Sequence, residues 1–166
     1  MEDMKSADIT IKYHAQEYNE VYTFFSAEDD LSIVKIQTML ALRGLEQKNR
    51  IPLVTDDGSG ISRTLSRVSY NKWGPDYDDA FGLLTILDNL DKPYDQVLNH
   101  MAFANNKNGE KYATLPNVST FYEYMLGGIE SCYQDIAKYG IHDKRQILDS
   151  MNEYFQDNED FIAQMR

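Results

Sequence analysis

One stretch, Arg43–Lys72, interrupts a chain whose apolar residues otherwise recur at helical spacing. Before it, Leu31, Val34, Thr38, Leu42 and Leu45 make one stripe, widened by Ile33, Ile36, Met39 and Leu40. After it, Tyr77, Ala80, Phe81, Leu84, Leu87 and Leu90 make a second. Phe121, Met125, Ile129, Cys132 and Ile136 make a third, in a helix expected to start at Asn117 or Ser119 and run to about Tyr139. Apolar periods near 3.6 over such lengths predict amphipathic helices that must bury their stripes against one another. The first helix is expected to begin at Ser26-Ala-Glu-Asp-Asp30, with a capping hydroxyl and acids at the positive end of the dipole. Gly44 weakens it, and Asn49 and Pro52 stop it.

The interruption has its own pattern. Arg50–Thr55 is expected as a short edge strand, because Pro52 cannot donate to a ladder. Asp56-Asp-Gly-Ser-Gly60 is a turn, its glycines allowing positive φ and its side chains bonding locally to the backbone. Ile61, Leu65, Val68 and Tyr70 predict a third helical segment, ended by Trp73-Gly-Pro75. Asp76 or Asp78 would cap the next helix. Asp91 and Pro93 would restart it for Val97, Leu98, Met101 and Ala102. At the N-terminus, Asp8–Tyr13 alternates like a strand, with Glu20–Phe25 as its partner or a short helix over 16–24 instead. Asn108-Gly109 predicts a hairpin turn in the polar stretch Asn105–Pro116. Gly127-Gly128 would allow close packing or a kink, and Gly140 a stop. Asp143 caps a last helix carrying Ile147, Leu148, Met151, Tyr154 and Phe155, with Phe161-Ile162-Met165 as a weak continuation. The expected fold is mainly α: a compact domain of five to seven helices, with a small β element near the N-terminus or in residues 50–60. One acidic domain spans 1–166, with a minor subdivision into 1–73 and 76–166.

Charge is segregated. Residues 43–72 carry six basic and three acidic side chains, while the rest of the chain carries ten basic and twenty-four acidic, for a total of −11. The net charge disfavours a simple nucleic-acid binder, and a basic strip on an acidic body leaves either pole as the working surface. The one cysteine, Cys132, permits no internal disulfide and sits in an apolar helical pattern, as a small buried hydrophobe does. No run approaches the ~18 apolar residues of a membrane span, and the acidic start has no signal-like core, so a cytoplasmic protein without a membrane partner is expected.

Four groups of residues carry possible chemistry. The acid clusters Glu28-Asp29-Asp30, Asp76/Asp78/Asp79, Asp88/Asp91/Asp95 and Asp157/Glu159/Asp160 could imitate a phosphate backbone and occupy the basic surface of a nucleic-acid-handling protein. Their ordinary role is capping and solvation. The basic segment offers Arg50, Arg63, Arg67, Lys72 and Trp73 to DNA or RNA, or else pairs with the protein's own acids. Metal chemistry would need carboxylates to converge, at Asp56-Asp57 or Asp76/Asp78/Asp79. DDGSG lacks EF-hand spacing, and His14, His100 and His142 stand isolated. No phosphate-binding loop and no G-x-S-x-G is present, so no cofactor, metal or catalytic residue is assigned. Trp73 with Tyr70 and Tyr77 could stack a base or anchor a partner, or pack where the loop rejoins the helices.

Gly60-Ile-Ser-Arg-Thr-Leu-Ser-Arg-Val68 resembles, over about nine residues and with a one-residue gap, the recognition helix of helix-turn-helix regulators. That resemblance implies a DNA- or RNA-binding regulator. The preceding helix ends too far upstream for the 3–4-residue turn of the motif. In class and composition, but in no family motif, the chain is similar to the small acidic, Tyr-rich inhibitors of host defence encoded by phages. The leading expectation is therefore a non-enzymatic acidic inhibitor or regulator, a nucleic-acid mimic. It would bind through Asp76, Tyr77, Asp78, Asp79 and Asp88, and could form a homodimer. The regulator comes second, and an unrecognised metal-dependent enzyme third.

Overall fold

The computed structural model describes residues 8–26 and 31–138, together with 153, 156 and 157. The expectations for residues 1–6, for 27–30, for the helix capped by Asp143 and for the tail after it lie outside the described residues, as does His142. Within them the protein is mainly helical with two small two-stranded sheets.

Strand β1 (Ile9–Ile11) leads into helix α1 (Ala15–Phe25). Of the two expectations for this stretch, the strand over Glu20–Phe25 does not form and the short helix over 16–24 does. Its buried residues Ala15, Tyr18, Val21, Phe24 and Phe25 recur every three or four positions, and this periodicity outweighs the local β propensity of Val, Tyr and Phe. Ser26 closes α1, its amide donating to the Tyr22 carbonyl. Helix α2 (Ile33–Glu46) is capped by Ser32, whose hydroxyl accepts from the Lys35 amide.

Residues 50–55 form a turn, with the Thr55 amide on the Pro52 carbonyl, and not the expected strand. The Ile51 amide instead donates across to the Glu123 carbonyl. The DDGSG turn forms as expected: Gly58 and Gly60 have φ of 75° and 73°, and Asp56, Asp57 and Ser59 each accept from the amide two residues on. Strand β2 (Arg63–Leu65) then pairs antiparallel with β1, in the register Ile9–Leu65, Thr10–Thr64 and Ile11–Arg63. Residues 60–65 are therefore not helical, and the helix-turn-helix likeness has no recognition helix beneath it.

Helix α3 (Arg67–Leu87) runs through the predicted stop and is kinked there, at Trp73 (φ −122°, ψ 23°), with Pro75 in the next turn. A short helix α4 (Tyr94–Gln96) continues into a π turn (Val97–Ala102). The Met101 carbonyl accepts from the Thr114 hydroxyl and the Asn117 amide group, and the Ala102 carbonyl accepts from Asn117. These bonds satisfy polar groups that a helix end would leave bare. Strands β3 (Phe103–Asn105) and β4 (Lys111–Ala113) form the hairpin that Asn108-Gly109 predicts. Helix α5 (Leu115–Ala137) is buried along most of its length and packs chiefly against α2.

Glycine sets that last contact. A Cβ on Gly128 would lie 2.0 Å from the Leu40 carbonyl oxygen, and one on Gly44 would lie 1.9 Å from that of Tyr124. Both helices present backbone to backbone, so Gly127-Gly128 serves close packing within an unbroken helix. At the centre lies one polar chain. Buried Gln37 donates to the Tyr18 hydroxyl (2.9 Å) and accepts from the Tyr77 hydroxyl (2.7 Å), with Tyr122 in the same buried cluster. Burial raises the ionisation of all three tyrosines, Tyr18 to about 12. Phe81 and Phe121 meet edge to face beside them, with ring centroids 4.8 Å apart.

Candidate partner-binding surface

Two of the six basic residues of the segment, Arg43 and Arg50, are engaged with α5, while Lys48 is exposed. Arg43 reaches Glu46 (3.0 Å) and Asp135 on α5 (3.2 Å). Arg50 donates to Glu123 on α5 at 2.6 Å, and its guanidinium lies 5.9 Å from the Tyr124 ring. Lys12 pairs with Asp56 at 3.4 Å. Lys72 is exposed, with its ammonium 5.1 Å from the ring of half-buried Trp73, which packs on the core at the kink. Arg63 is exposed on β2. Arg67 opens α3, and its side chain is outside the described ones. Arg50 and Arg63 therefore do not share a role: one clamps two elements of the fold and the other faces water.

The aspartates of the α3 region separate in the same way. Asp78 accepts from the Tyr70 hydroxyl, and Asp88 accepts from the Tyr124 hydroxyl; burial first, and then this bond, push the Tyr124 pKa up to about 12. Both are half-buried. Tyr77 is 1% exposed and belongs to the core, so it cannot serve as a surface anchor. Asp76 and Asp79 point outward and form no ion pair among the described residues.

Helical geometry places Asp76, Asp79, Leu83 and Leu87 on one face of α3. Leu83 is 45% exposed. Beyond the helix end follow Leu90 at 73%, next to exposed Asp91, and Tyr94 at 61%, next to exposed Asp95. Between residues 73 and 96 six aspartates stand against one lysine, Lys92, which donates to Asn89. Large apolar side chains set among unneutralised carboxylates are the composition of a contact surface. The earlier assignment took the acids of this region but missed the leucines, because Leu83 and Leu90 share the helical period of core residues.

A second cluster forms around His14, which the sequence leaves isolated. Its Nδ1 lies 3.2 Å from Glu17 and its Nε2 3.8 Å from Glu130 of α5. Its backbone amide donates to Asp57 at 2.8 Å, from a left-handed conformation (φ 51°). Hydrogen bonds from the Ser59 hydroxyl and amide, and then from His14, hold the Asp57 carboxyl down at about 2. The cluster ties the start of α1 to the DDGSG turn and to α5. Cys132 is buried, and desolvation pushes its thiol up to about 12, far from a nucleophile's range.

Among the described residues, no three His, Cys, Asp or Glu side chains converge as a metal site would require, and no helix is long and apolar enough to cross a membrane. Compared with protein-family models, with curated proteins and with solved structures, the chain finds no match in any of the three.

Proposed function

We propose that this protein is a non-enzymatic binding protein, an acidic inhibitor or regulator that docks on the basic surface of a nucleic-acid-handling protein. The carrying observation is the unequal fate of its charges. Arg43, Arg50 and Lys12 are tied to the protein's own carboxylates, whereas Asp76 and Asp79 face water without an ion pair among the described residues. The chain carries a net charge of −11, and Asp76 and Asp79 are among the carboxylates it presents to solvent. Such a field attracts the lysine- and arginine-rich surfaces that otherwise hold nucleic acid, and it speeds their association.

The test is capture from cell extract treated with nuclease, followed by elution with duplex DNA. A basic nucleic-acid-handling protein should be retained and then displaced by DNA, with retention falling steeply as salt rises. If instead the protein itself retards duplex DNA at about 50 mM salt, and Arg63→Glu abolishes it, the nucleic-acid-binding regulator is correct. No DNA-displaceable partner and no DNA retardation would remove both.

A further inference from the structure

Resting on the binding reading above, we infer that the outer face of α3 and the turn after it form a docking surface for one kind of partner segment: an amphipathic helix with leucine-like anchors flanked by lysine or arginine. Charge alone would need only the aspartates. Here Leu83 on α3, Leu90 after its end and Tyr94 at the start of α4 are exposed along the same stretch of chain as Asp76, Asp79 and Asp91. Leu90 at 73% and Tyr94 at 61% exposure leave large apolar surfaces in water that the fold does not use. Burying them against apolar anchors is favourable, and the surrounding carboxylates select anchors that carry cations at their rim.

The same charges argue against other occupants. A second copy of the chain would bring Asp76, Asp79, Asp91 and Asp95 against their equals, six aspartates to one lysine on each side. An anionic membrane or a nucleic acid would be repelled likewise. By contrast, the other exposed large apolar residues among the described ones, Val54 at 91% and Ile61 at 38%, lie apart in the segment around the DDGSG turn. Position and composition thus single out the α3 face.

The experiment uses the whole chain and a synthetic helical peptide of leucine and lysine with one apolar face. Its partner is a scrambled peptide of the same composition with no such face. Binding is followed by fluorescence anisotropy. The patterned peptide should bind at least about tenfold more tightly than the scrambled one. The double variant Leu83→Ser/Leu90→Ser, whose sites are exposed and whose folding circular dichroism will check, should lose about tenfold or more of that binding. Val54→Ser should change nothing. Asp76→Asn/Asp79→Asn should flatten the salt dependence. Equal binding of the two peptides, or leucine variants that bind like wild type, would overturn the amphipathic partner while leaving the acidic docking protein standing. Loss of all response to the aspartate variants would count against both.

Discussion

The seam between α2 and α5 and the outer face of α3 treat similar residues in opposite ways. At the seam every group is engaged. Gly44 and Gly128 let the backbones touch, Asn49 donates to the Gly127 carbonyl, and Arg43 and Arg50 are held by Asp135 and Glu123. On the α3 face, leucines lie open and the outermost aspartates have no cation beside them among the described residues. A strip of positive charge in the sequence is thus structural where it lies against α5. On α3, Asp76 and Asp79 face solvent instead. Charge in a sequence marks a surface only after the internal pairs are subtracted.

The contrast can be broken most forcefully at the seam. Gly128→Ala puts a methyl group where 2.0 Å separates it from a backbone oxygen that cannot swing away. Urea unfolding should show a loss of about 3 kcal/mol or more, from the forced separation of the helices. Leu83→Ser on the α3 face should stay within about 0.5 kcal/mol of wild type.

Alkaline pH tests the buried centre next. Tyr18 ionises near 10 when unfolded and at about 12 when folded, and Cys132 moves from 9 to about 12, in both cases mainly through burial. The unfolded chain therefore releases these protons first. This stability is whole below about pH 9 and drains away between about pH 9 and 12, by roughly 2–3 kcal/mol for Tyr18 alone. Melts recorded across that range should fall accordingly, and Tyr18→Phe should shallow the fall.

The smallest effect separates two arginines. Arg50→Ala should cost about 1 kcal/mol, since a half-exposed ion pair and a ring contact are lost together. Arg63→Ala should fall within about 0.5 kcal/mol of wild type. Equal losses at both sites would mean that the basic strip is not divided between inside and outside.

How far these features could be read beforehand follows from their range along the chain. The stripes of α2 and α5, the DDGSG turn and the Asn108-Gly109 hairpin are written in residues within a few positions of each other, and they form as expected. The pairing of β1 with β2 joins residues more than fifty positions apart through strands of three residues each, too short to show a period. Leu65 therefore read as part of a helix stripe. Glu20–Phe25 left a strand and a short helix both open for the opposite reason: strand-favouring side chains occupy positions that tertiary packing makes helical. At the candidate surface the outward aspartates Asp76 and Asp79 were recognisable, but their neighbours were not. Tyr77 sits between them in sequence and points to the core, where Gln37, forty residues upstream, holds its hydroxyl. The gathering of Glu17, Asp57 and Glu130 around His14 likewise depends on three separate elements and has no local signal.

The division of labour between the two regions is tested most directly by backbone amide spectra of the whole protein during titration with the leucine–lysine peptide. Shifts should concentrate on residues 76–95, with Arg63–Leu65 and the α2–α5 seam unmoved. Shifts centred on Arg63–Leu65, or spread evenly over every acidic surface, would contradict a docking face on α3.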